Sequence, residues 1–155
     1  MTKTKIVFTI PGDDAPVKVH SLTLDAINQG FTTADLISKV VPQNAINLRE
    51  IYDTDEPEDE IFRAAWDDSN QESFIGLNIP KAKLIAHDLR RIEREKKLAP
   101  LDKEEIFVTT ATTRKAEIAT EKTAILDANA LVQTDIDAAA NETELRAVLT
   151  GAGII

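Results

Sequence analysis

His20 and His87 are the only histidines of the chain, and residues 53–60, Asp-Thr-Asp-Glu-Pro-Glu-Asp-Glu, form its densest run of carboxylates. An imidazole acts as a general base toward a hydroxyl when an acid orients it. A short run of carboxylates can supply the oxygen ligands that a calcium ion takes. Neither arrangement is complete here. No Ser lies in a Gly-x-Ser-x-Gly frame of the kind that holds a nucleophile at a strand-to-helix turn. The acidic run lacks both the turn glycine and the spaced terminal Glu of an EF-hand loop, and Pro57 interrupts it, so it reads as a solvated loop. With no Cys in the chain, disulfides, thiolate metal sites and a thiol nucleophile are excluded. The 27 Asp and Glu residues single out no acid–base pair. The expectation is a protein that is not an enzyme, with no catalytic residue, no metal site and no cofactor.

Two other groups of residues point toward contact rather than chemistry. Lys81, Lys83, Arg90, Arg91, Arg94, Lys96 and Lys97 gather on one segment, against Asp88, Glu93 and Glu95. Such a cluster can meet nucleic acid, but a formal charge of -9 and a sequence pI near 4.7 repel polyanions, and no aromatic residues interleave with the cations. An acidic protein surface is the expected partner, residues 53–60 of the same or a neighbouring chain among them; neither nucleic acid nor a membrane is expected. Trp66, the only Trp, reads with Phe62 and Phe74 as core. As an alternative it anchors a partner, because an aromatic ring offers much contact area for little lost entropy. Phe62, Arg63 and Trp66 are therefore carried forward as candidate interaction residues.

The elements that must position these groups divide the chain in two. In the first half, residues 5–10 are β-branched and apolar, Pro11-Gly12-Asp13-Asp14 supplies a turn, and Val17 to His20 alternates with period two, a hairpin signal. Residues 21–28 read as a short helix stopped by Gly30, and Thr32 with Asp35 as a capping box that opens a second helix ended by Pro42. Residues 47–52 read as a strand whose buried parity is ambiguous, with Leu48 and Tyr52 on one face and Ile51 on the other. Two short strands, 61–66 and 73–77, follow the acidic loop. The apolar run at 6–10 is too short for a signal-peptide core, and no 18 apolar residues run together, so the protein is expected to be made in the cytosol or to enter a particle assembled there.

In the second half, Pro80 suits the first turn of a helix, and Ala82, Ile85, Leu89 and Ile92 recur at helical spacing. Pro100 is expected to break or kink that helix near Leu98, and Asp102 with Glu105 to cap a new one running to about Asp127. Ala111, Ile118, Ile125 and Val132 are spaced by seven, but Arg114 and Glu121 or Lys122 fall between them, which favours a helical hairpin or bundle over a long coiled coil. Asn141 to Glu144 signals a last helix, with Leu145, Val148 and Leu149 on its apolar face and Gly151 as its stop. The fold class is α+β: a small hairpin-and-helix docking domain over 1–78, then a helical domain or arm over 79–155. Ile85, Leu89, Ile92, Ile118 and Ile125 are the candidate interaction residues of the helical seam.

Phe62-Arg63-Ala64-Ala65-Trp66, then Ile79-Pro80-Lys81-Ala82-Lys83, an Arg-rich helix and Leu98-Ala99-Pro100-Leu101-Asp102 form a pattern that resembles a group of small proteins encoded near the tail genes of tailed bacteriophages and prophages. In that group the order is roughly Phe-Arg-x-Ala-Trp, Met-Pro-Lys-Ala-Arg, an Arg-rich helix and Leu-x-x-Leu-Asp. The segment 135–148, with its Glu-Leu-Arg-Ala-Val, is similar to the group's ending. The resemblance covers residues 62–149 and departs at Lys83, where Arg is more usual, and at Leu101, which follows Pro100. It implies a structural virion protein of the tail tip or tail-fibre attachment region, assembled in the host cytoplasm, binding other tail or fibre proteins as a homo-oligomer. An assembly chaperone absent from the finished virion is the alternative that it implies.

Overall fold

A computed structural model describes residues 3–14, 16–57, 60–71, 74–107 and 112–155. It shows an α+β fold that divides into two compact units, Met1–Asn78 and Ile79–Ile155. Ser73 of the last expected strand, Glu58 and Asp59 of the acidic loop and Ala111 of the seven-residue series lie outside the described residues.

The first unit is built on a three-stranded antiparallel sheet of β1 (Lys5–Thr9), β2 (Val17–Ser21) and β3 (Ile46–Ile51) in the order β2-β1-β3. Ile6, Val7 and Phe8 are buried in succession, as a central strand covered on both faces requires. On one face Val7, Val17 and Ile51 meet Trp66 and Ile75, with Val19 and Leu77 packed at the edge. On the other, the His20 ring stacks on Phe8 at 5.6 Å. Helix α1 (Leu24–Asn28) precedes α2 (Thr33–Val40), which packs on β1. Thr33 donates to Glu50, the residue paired with Ile6, and this places α2 on the Ile6–Phe8 side.

Local chemistry sets the boundaries. Helix α1 ends in a Schellman turn: Phe31 N–H donates to the Ala26 carbonyl and Gly30 N–H to that of Ile27, with Gly30 at φ 83°, a left-handed conformation that glycine adopts without strain. The capping box at Thr32 and Asp35 is formed. In β3 the pairing slips: Arg49 faces Val7 but Ile46 faces Thr9, so Asn47, at φ 57°, and Leu48 form a bulge. The bulge resolves the parity ambiguity: Ile51 is buried and Leu48 and Tyr52 are exposed.

The strand expected over 61–66 does not form as such. Ala65 N–H donates to the Phe62 carbonyl and Arg63 N–H to that of Glu60, which winds Arg63–Ala65 into a 3-10 turn; the paired alanines have no bulky side chain to hold an extended chain against a neighbour. Only Trp66–Asp67 (β4) and Gly76–Leu77 (β5) then pair as a short hairpin. Phe74, expected in the core, is 56% exposed.

The second unit holds α3 (Ile79–Phe107), α4 (Thr112–Ala138) and α5 (Glu142–Gly151), which pack on one another. Pro80 lies in the first turn of α3, but Pro100 neither breaks nor ends that helix. The residues beyond it are tied to α4 instead: Lys122 reaches both Asp102 and Glu105 at 2.6 Å, and Arg114 reaches Glu104 at 2.6 Å. Asp102 and Glu105 are thus ion-pair partners and not a helix cap. Accordingly α4 starts at Thr112 and runs past Asp127 to Ala138. Asn141 caps α5 by accepting from Glu144 N–H at 3.0 Å. Helix α5 closes on a second Schellman turn, with Ile154 N–H on the Leu149 carbonyl and Gly153 N–H on that of Thr150. Its left-handed residue is Gly153, φ 66°, two positions beyond the expected stop.

Candidate functional site

The sequence placed candidate contact residues at Phe62, Arg63 and Trp66 and along the helices, and the structure treats the two sets differently. Phe62 and Trp66 are both sealed, Trp66 being 3% exposed within the sheet's core cluster. Arg63 lies over the Trp66 ring at 5.4 Å and is bonded to Glu60. The ring of Trp66 therefore serves as core, the first of the two readings offered above, and presents no free face.

The helical candidates divide. Ile118 is fully buried, and Ile85, Leu89 and Ile125 are half-buried, but Ile92 is 51% exposed and stands outside the seam. The buried positions of α3 are Ala82, Ala86 and Arg90, at steps of four residues. On α4 the buried and half-buried positions are Arg114, Ile118, Lys122, Ile125, Asn129, Val132 and Ile136, at steps of four and three, the spacing of a helix–helix seam. Every second position of that seam except the last is polar, and each polar residue has a partner. Arg90 Nη1 donates to the Asn129 side chain at 2.5 Å and to its backbone carbonyl at 3.1 Å. Near the far end of α4, His87 Nε2 lies 3.0 Å from Asp137 Oδ1, and Lys83 donates to the Asp137 carbonyl at 2.7 Å.

These pairs set the local electrostatics. Hydrogen bonds that the Arg114 guanidinium donates to Glu104, Glu121 and Glu117 push it up, and Arg114 in turn holds Glu104 below the ordinary carboxylate value. Asp102 and Glu105 raise Lys122. Arg90 goes the other way: burial lowers it, and neighbouring Arg91 and Arg94 add to the effect. Its Nε is buried with no acceptor among the described residues.

A groove of about 510 Å³ opens beside α3, α4 and the turn that follows α5. Its floor is aliphatic, with Ile125, Leu131 and Val132 from α4 and Ile154 brought in by the turn at Gly153. Its walls on α3 are Arg90, Arg94 and Lys97, with Glu93. Outside the groove the same helices leave large apolar residues in solvent: Leu84, Ile92, Ile106 and Phe107 on α3 and Leu126 on α4. Leu131, which lines the groove, is 68% exposed. Asn129, Leu131 and Leu84 were missed from the sequence, and Arg90 was read there only as one of a basic cluster, not as a seam residue. The legible signal for Arg90 was its place four residues after Ala86, which an apolar-only count discards.

Elsewhere the charged residues serve the fold. Lys5 bonds Glu56 at 2.5 Å and Asp53 at 3.5 Å, and the Glu56 bond raises it above the usual lysine value, so part of the acidic loop is neutralised within its own unit. Asp68 is buried and takes both Nη2 and Nε of Arg49, at 2.5 and 3.3 Å. Among the described residues no three His, Asp or Glu side chains gather as a metal site requires, and no helix is long and apolar enough to cross a membrane. Compared with protein-family models, curated proteins and solved structures, the chain gives no match.

Proposed function

We propose that the protein is a non-catalytic assembly subunit that binds its neighbours through the helical unit, in the tail-tip or tail-fibre attachment region of a phage virion as the sequence resemblance implies. The observation that supports this is the set of exposed large apolar side chains on α3 and α4, Leu84, Ile92, Ile106, Phe107, Leu126 and Leu131, beside a groove with an aliphatic floor. Singly exposed apolar residues are ordinary, but several on one pair of helices mark a contact surface. The partners are other tail or fibre proteins and further copies of the chain.

Protein analysis of purified particles tests the assignment. A structural subunit is present in stoichiometric amount in finished particles. Presence in assembly intermediates alone would identify an assembly chaperone, and absence from both would overturn the proposal.

A further inference from the structure

We draw no further inference here: the strongest candidate, the groove with an aliphatic floor and a cationic wall beside α3, α4 and the turn that follows α5, has Arg94 and Lys97 of its wall already paired with Glu95 and Glu93 of the same helix, and nothing in the structure shows what covers it.

Discussion

The sheet unit and the helical unit solve the same problem with different residues. The sheet closes on large side chains, with Phe8, Trp66, Ile51, Val7 and Ile75 buried, and Asp68, its one buried carboxylate among the described residues, is paired by Arg49. The helical unit buries small or aliphatic residues, Ala82, Ala86, Ile118, Ile136, Leu145 and Leu149, and fills the rest of its seam with Arg90–Asn129, Lys122 with Asp102 and Glu105, and Arg114–Glu104. Apolar packing supplies stability and tolerates sliding, whereas paired polar residues at seam positions fix register at some cost in stability. The contrast leaves the aromatic core to hold the sheet unit and the paired polar residues to fix the alignment of the helices.

Truncating the sheet's anchor is the largest test of that contrast. Trp66→Ala is expected to destabilise the sheet unit by about 3–5 kcal/mol, the range for deleting a large buried aromatic, read as a lower urea midpoint. A loss under about 1 kcal/mol would remove the ring from the core. Next comes Leu145→Ala in α5, expected at about 2–5 kcal/mol toward the lower end, because a bundle of three helices can partly collapse around the gap.

The seam gives a sharper test. Asn129→Leu alone takes the side-chain acceptor from a buried guanidinium, leaving it the backbone carbonyl, and is expected to cost about 1–3 kcal/mol, while Arg90→Met together with Asn129→Leu returns most of the loss or adds stability. If the double change were as harmful as the single one, the pair would contribute stability and not only alignment. Removing the α5 cap with Asn141→Ala is expected to cost about 1 kcal/mol, measured by the same unfolding curve.

The ion pairs between α3 and α4 come last. Glu104 is held below its ordinary value of 4.5 by Arg114, so its stabilising contribution is complete above that value and is lost as pH falls through the lower folded value. Lys122, raised above 10.5 by Asp102 and Glu105, contributes fully below that value and loses its contribution as pH rises through the higher one. Helicity followed by circular dichroism is expected to weaken at both extremes, and Glu104→Gln to reduce the acid-side dependence while leaving the alkaline side unchanged, the capping-box Asp35 keeping its own share on the acid side.

How much of this could be read from the sequence follows from the same chemistry. The hairpin, the capping box at Thr32, the α5 cap and the helical second half were legible because each is a local pattern of turn, cap or period. The path through Pro100 was not, because a proline reads locally as a break, whereas the residues beyond it are tied to Lys122 and Arg114 of another helix, contacts that no local pattern shows. Residues 61–66 looked like a strand by composition, yet two alanines and a pair of local hydrogen bonds made a turn. Ile118 and Ile125 were found by their seven-residue spacing, whereas Ile92 carries the right residue type on the wrong side of α3, and Arg90 the reverse.

Light scattering on the intact chain across micromolar concentrations, at low and high salt, addresses the assembly claim most directly. The expected result is a mass above the monomer that rises with concentration. It should be weakened but not abolished by salt, since added salt shortens the Debye length from about 8 Å at physiological ionic strength and screens exposed charges while leaving aliphatic contact intact. A monomer mass at every concentration and salt would contradict it.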